Sequence, residues 1–211
     1  MIAALRALCL PGALVAVAKH PNQRKLAREL GADQVVRPGE HKRAARRLSG
    51  SLALESGDGG IERLTGGVDL VVDCVGSSDS LEQCLEVVRP GGRVVLVGMP
   101  GVVKLDLAPL WQREIELRGA YAYGSEDRPE GPRSTFQLAL ELVRGARLER
   151  LVSARYPLES YEDAVAHAAH AGRRGAVKIV FDLRKGGSAG DVPGSRGAGG
   201  KQVGVTTKEA K

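Results

Sequence analysis

The sequence predicts an α/β fold, a doubly wound parallel sheet with helices on both faces. Three observations predict it. Short apolar runs of strand length recur along the chain. Amphipathic stretches with helical spacing alternate with them, and Gly/Pro turns separate the two kinds of segment. The chain has 211 residues, 43% apolar and 27% charged. That is enough to bury a sizeable core, and it excludes a wholly disordered or fibrous protein.

The elements follow in order. Residues 2–10 read as a helix, Pro11-Gly12 as a turn and 13–18 (ALVAVA) as a strand covered on both faces. The first 18 residues superficially resemble a signal peptide. Arg6 interrupts that run, however, Pro11-Gly12 splits it, and no basic cluster precedes it. It is also too short and broken for a membrane span. No membrane association and a cytoplasmic location are therefore expected. Pro21 suits the first turn of a helix, where its missing N–H costs nothing. Leu26, Ala27 and Leu30 recur at helical spacing, and Gly31 follows as the residue that ends the helix. Residues 34–36 form a second strand. The stretch 37–66 is basic early and glycine-rich late, and is expected to hold one or two irregular helices without definite positions. Residues 68–74 (VDLVVDC) form a third strand. A helix over 80–88 places Leu81, Leu85 and Val88 on one face. Pro90-Gly91-Gly92 reads as a turn into a fourth strand over 93–98. Later come a strand at 115–121, helices near 133–143 and 160–170, and a final strand over 177–181. Right-handed crossovers follow from strand twist. The last 28 residues contain eight Gly and little apolar periodicity. The chain is thus expected to comprise a domain over 1–183 and a disordered, glycine-rich basic tail over 184–211.

Charge and composition narrow the function. The net charge is +6, but residues 184–211 hold six Lys/Arg against two Asp/Glu, which leaves the rest nearly balanced. Nucleic-acid binding is not expected, and two Phe, one Trp and four Tyr supply no stacking platform. Cys9, Cys74 and Cys84 exclude a disulfide scaffold and a four-cysteine zinc site within these residues. Cys74 and Cys84 read as small apolar residues. Asp69 and Asp73 lie four apart on a strand, about 13 Å at 3.3 Å per residue, too far to share a proton. His167 and His170 lie three apart on a helix, with no third ligand at matching spacing. Ser77, Ser78 and Ser80 lack a nucleophile elbow. No catalytic residue and no metal ligand is assigned.

Four segments carry a family likeness: HPNQRKLARELGADQVV, GVDLVVDCVGSSDSLEQCLEVVRPGGRVVLVGMP, ELRGAYAYG and YPLESYEDAVAHAAHAGRRGAVKIVFDL. Single pieces such as RPGGRVVLVG also occur in methyltransferases. In order, the set resembles the cofactor-binding half of medium-chain dehydrogenases, which include zinc-dependent alcohol, polyol and threonine dehydrogenases and zinc-free quinone reductases. The resemblance covers 1–183 and implies a Rossmann-like domain. It also implies a parent reaction of NAD(P)-dependent hydride transfer between an alcohol and a carbonyl. In the family a strand and a Gly-rich phosphate turn precede the helix that starts near Met1, whereas no GxGxxG occurs in this sequence. The expectation is therefore a truncated dehydrogenase. Its sheet would lack the first strand, and the zinc of the parent family would have no ligands in this sequence. The alternative is a non-catalytic NADP-binding or interaction module.

The resemblance also implies a set of binding residues. Ala18 occupies the strand end where NAD-preferring members carry a carboxylate for the ribose hydroxyls. Lys19 and Arg24 are cations nearby, so charge complementarity favours NADP, with NAD as the alternative. Cys74, Val75 and Gly76 would line the adenosine side. Val97, Gly98 and Met99 would face the nicotinamide carboxamide, and Ala120 and Tyr121 would close the same pocket. Lys178 matches a position where a basic residue approaches the pyrophosphate. The strand at 115–121 would pair with its counterpart in a second subunit. An uncovered edge bearing Ile115, Leu117, Ala120 and Tyr121 is a liability, so a homodimer is expected.

Overall fold

The computed structural model describes residues 1–8, 12–54, 63–121 and 123–183. The sequence readings for Cys9, Leu10, Pro11 and the 184–211 tail lie outside the described residues.

The first unit is short and stapled by polar groups. It comprises α1 (Ile2–Ala7), β1 (Val15–Val17), α2 (Pro21–Glu29) and β2 (Gln34–Val36). β1 and β2 pair in parallel, Val15 opposite Gln34. Pro21 opens α2, and Gly31 follows its cap with φ +105°, a conformation that glycine adopts without a Cβ penalty. The Arg6 side chain lies against Gly31 and donates from Nε to its carbonyl at 2.7 Å. Arg6 also pairs with Asp33, whose carboxylate accepts from Leu14 N at 2.7 Å. Those contacts hold the Asp33 carboxyl below its ordinary value, first through the Leu14 amide and then through Arg6.

The second unit carries the main core. Among the described residues of 37–66 there are one regular helix, α3 (His41–Ser49), ended by Gly50 at φ +67°, and an antiparallel pair of β3 (Ala53–Leu54) and β4 (Arg63–Leu64). The one or two helices expected in this stretch thus include the regular α3, and residues 55–62 lie outside the described residues. β5 (Val68–Asp73), α4 (Ser78–Val87) and β6 (Val88–Leu96) follow, then α5 (Ala108–Gln112) and β7 (Glu116–Gly119). β5, β6 and β7 form a three-stranded parallel sheet. α4 passes into β6 without a loop, and the expected turn at Pro90-Gly91-Gly92 is instead a bulge within β6. Val68 faces Val88 but Leu70 faces Arg93, so both flanks of the bulge pair with β5. Gly91 sits at φ +64°, and its N–H donates to the Arg113 carbonyl at 2.8 Å.

Cys84 and Leu85 of α4 pack on Val88 and Val94 of β6 and on Ile115. Val88 and Val94 are fully buried. Ile115 therefore belongs to the core and not to an exposed edge, as the sequence had suggested. The rest of β7 is exposed. Next to this core α3 packs on α4, with Ala45, Leu64 and Val87 forming a second cluster that shares Val71 with the first. His41 and Lys42 both reach Glu86, at 2.9 and 2.8 Å.

The remaining elements are β8 (Ser125–Glu126), β9 (Arg133–Ser134), α6 (Thr135–Gly145), β10 (Val152–Tyr156), α7 (Tyr161–Ala169) and β11 (Lys178–Phe181). β10 has no counterpart in the sequence reading. It pairs in parallel with β11. Among the described residues the parallel strands thus form three sheets, β1-β2, β5-β6-β7 and β10-β11. Among the described residues β1 pairs only with β2 and β5 only with β6. Among the described residues no helix is long and apolar enough to cross a membrane.

Candidate functional site

Open α/β sheets bind ligands outside the carboxyl ends of their strands. At that end of β5–β6–β7 the structure brings together most of the residues singled out in the sequence, and Asp73 organises them. Asp73 is buried, 3% exposed. Its Oδ1 accepts from Val75 N at 2.9 Å, and its Oδ2 accepts from Gly76 N at 3.1 Å and Ser80 Oγ at 3.1 Å. Its backbone carbonyl accepts from Val97 N at 2.8 Å and Gly98 N at 2.9 Å. One residue thereby fixes both strand-end turns.

The turns touch backbone to backbone. A Cβ on Gly98 would lie 2.6 Å from Gly76 N, and one on Gly76, at φ +80°, would lie 3.0 Å from the Gly98 carbonyl oxygen. Only glycine permits that approach. Ala120 joins the same end, donating its N–H to the Leu96 carbonyl at 2.9 Å. Val75, Met99 and Tyr121 are exposed there, apolar side chains around the joined turns. Cys74 is also exposed. Its thiol is pushed up, chiefly by desolvation, with the Met1 ammonium opposing and the Asp73 carboxylate adding. Ser77 caps α4, its Oγ accepting from Ser80 N at 3.1 Å. The serines are therefore structural, as their pattern implied.

The second group lies at the end of β1. Ala18 donates its N–H to the Val36 carbonyl at 2.9 Å. Arg24 turns back on this strand end, its Nη1 donating to the carbonyls of Lys19 at 2.7 Å and Ala18 at 3.3 Å. Arg24 thus braces the turn that presents Lys19. A cleft of about 460 Å³ opens beside it, lined by Lys19, His20, Ala169, His170, Gly172 and Arg173. Lys178 is exposed at the start of β11, opposite Val152.

Other candidates resolve into structure. Asp69 is exposed and paired with Arg89 at 2.7 Å, which holds its carboxyl below its ordinary value. His167 is buried, its Nδ1 2.9 Å from Tyr156 Oη, whereas the exposed His170 turns its Nδ1 to the Ala166 carbonyl at 3.2 Å. The two histidines do not converge. Cys84 is buried, and desolvation pushes its thiol up to about 12. Sequence reasoning missed Asp73 as an organiser and missed His20 and Arg173; it weighed His170 only as a metal ligand beside His167, not as part of this cleft. A trace was present for Asp73: an Asp three residues before a Gly at a strand end is a typical side-chain-to-backbone turn.

A parallel α/β architecture with glycine turns meeting at its strand ends defines a Rossmann-like domain. Within that class, residues 2–144 match the zinc-binding dehydrogenase family, and the chain belongs to that family. It is 27% identical over 187 residues to a sorbitol dehydrogenase of Arabidopsis thaliana, an alignment covering 85% of this chain and 45% of that protein. It is 29% identical over 179 residues to an L-threonine 3-dehydrogenase of Pyrococcus furiosus, covering 82% and 45%. Among solved structures, L-idonate 5-dehydrogenase of Escherichia coli superposes with a TM-score of 0.61 at 25% identity, covering 85% of this chain and 45% of that one. The chain spans about half the length of the relatives it matches. Among the described residues no group of three or more His, Cys, Asp or Glu could hold a metal ion. These residues do not fit the zinc that the family description implies.

Proposed function

We propose that this chain is the dinucleotide-holding portion of an NAD(P)-dependent, alcohol dehydrogenase-like oxidoreductase, with NADP the preferred cofactor. The parent reaction is hydride transfer between the nicotinamide and an alcohol or carbonyl carbon. The similarity to sorbitol, threonine and idonate dehydrogenases points to a small polyol or hydroxy acid as substrate.

The observation that carries this reading is the Asp73-centred junction of the Cys74–Gly76 and Val97–Met99 turns. It places exposed backbone turns and apolar side chains at the carboxyl end of a parallel sheet, a setting that suits a flat nucleotide ring. The described residues orient the cofactor, and the nicotinamide, when bound, accepts or donates the hydride. Lys19 offers a cation and Ala18 no carboxylate on the ribose side, which supports NADP over NAD. The exposed β7 edge supports pairing with a second copy, and light scattering on an eluting size-exclusion peak is expected to give twice the chain mass.

Calorimetric titration with NADP and NAD, followed by absorbance at the reduced-nicotinamide band over a panel of polyols, tests the reading. Binding of NADP in preference to NAD is expected, and failure of both to bind overturns it. A second reading, a binding module without turnover, is favoured by the lack of a metal-ligand cluster among the described residues. Binding with no oxidation of any alcohol would select it.

A further inference from the structure

The cleft beside Lys19 is built from two distant parts of the chain. Lys19 and His20 come from the turn between β1 and α2, while Ala169 ends α7 and His170, Gly172 and Arg173 come from the turn between α7 and β11. Every side chain lining it that can carry charge is basic: one lysine, one arginine and two imidazoles. No Asp or Glu lines it.

The two turns are fastened together. Asn22 Nδ2, in the first turn of α2, donates to the Gly175 carbonyl at 2.8 Å. A Cβ on Gly172 would lie 2.5 Å from His20 Nε2, so the His20 ring rests directly on that glycine. Arg24 spends its Nη1 on the Ala18 and Lys19 carbonyls, which fixes the backbone that presents Lys19. α2 starts at this rim, so the positive end of its nine-residue helix adds to the field. His170 donates Nδ1 to the Ala166 carbonyl, so its Nε2 donates to an anion only as imidazolium.

Resting on the dinucleotide reading above, we propose that the α7–β11 turn completes a phosphomonoester site. In it, Arg173 and His170 join Lys19 and His20 to grip the 2′-phosphate that distinguishes NADP from NAD. The site lies across two elements, so its selectivity depends on the docking of α7–β11 as well as on the residues that follow β1. A guanidinium suits three phosphate oxygens through paired N–H donors.

The test uses the full chain and its Arg173→Ala, Arg173→Gln and His170→Ala variants, each titrated with NADP, NAD, 2′-AMP, 5′-AMP and inorganic phosphate. Arg173 is exposed, and unchanged thermal melts are expected for its variants. Loss of a charge-assisted hydrogen bond predicts about tenfold weaker NADP binding in both Arg173 variants, with NAD unaffected and a smaller loss for His170→Ala. NADP binding that falls together with NAD, or an unchanged NADP/NAD ratio in both Arg173 variants, overturns the proposal and leaves the dinucleotide reading intact. If neither dinucleotide binds the unmodified chain, the dinucleotide reading fails instead. Arg173-dependent 2′-AMP binding would then still uphold the cleft, and its absence would overturn it. Inorganic phosphate binding as tightly as 2′-AMP would overturn the assignment to a nucleotide.

Discussion

The β5–β6–β7 sheet and the β1–β2 pair are both parallel, yet they are held by different forces. The larger sheet encloses Val88 and Val94 completely and packs α4 against them. The smaller has three-residue strands with Val17 open to solvent, a helix α1 with no buried residue, and a polar staple of Arg6, Asp33 and Leu14. The difference shows how hydrophobic burial and local polar contacts divide the work of holding one fold. The first gives stability that is cooperative and hardly responsive to salt, the second stability that is local and ionic.

Four experiments would break or sharpen this contrast. The largest effect is expected from Leu85→Ala, which empties a site only 2% exposed at the α4–β6 contact. Chemical denaturation should show a loss of about 2–5 kcal/mol. A change confined to the β1–β2 amides in hydrogen exchange would contradict the assignment of the core. Next comes Gly98→Ala. Its methyl would press on the Gly76 amide and should cost about 1–3 kcal/mol through overpacking. It should also weaken dinucleotide binding more than Gly101→Ala, where a Cβ meets open space.

The third is a pH dependence. The Cys84 thiol, ordinarily near 9.0, ionises only at about 12 when folded. Between those values the unfolded chain holds fewer protons than the folded one, so stability must fall as pH rises from about 9. Cys84→Ala should flatten that alkaline limb in urea titrations at stepped pH. The smallest effect belongs to Asp33→Asn. The Asp33 carboxyl is held low, so its contribution is present above the unfolded carboxyl value and is lost as pH falls through the folded one. Global stability should barely move, while the Leu14 amide should exchange faster. A global loss comparable to that of Leu85→Ala would erase the distinction between the two regions.

Much of the frame was legible because it rests on local signals. Gln34–Val36 is a strand residue for residue, and Pro21 and Gly31 bracket α2 as their chemistry requires. The failures are equally physical. Pro90-Gly91-Gly92 has turn composition, but both its flanks pair with β5, so tertiary pairing overrides the local preference and a bulge results. β10 alternates too weakly in VSARY to announce a strand, and it becomes one only through β11. Gly76 and Gly98 were visible as strand-end glycines. The acceptor role of Asp73 was not, because the amides that it binds converge only after two strands align. The association of Arg173 with Lys19 is longer-range still and left no mark on spacing.

The direct passage of α4 into β6 at Val87–Val88 constrains the gene as well as the fold. One inserted codon at that junction would move Val88 off its partner Val68 and out of the core. The three-residue excess at the neighbouring bulge can take up a change of length before Arg93 re-enters register. Insertions and deletions tolerated across this stretch should therefore collect at residues 89–92 and be absent from the seam immediately before them.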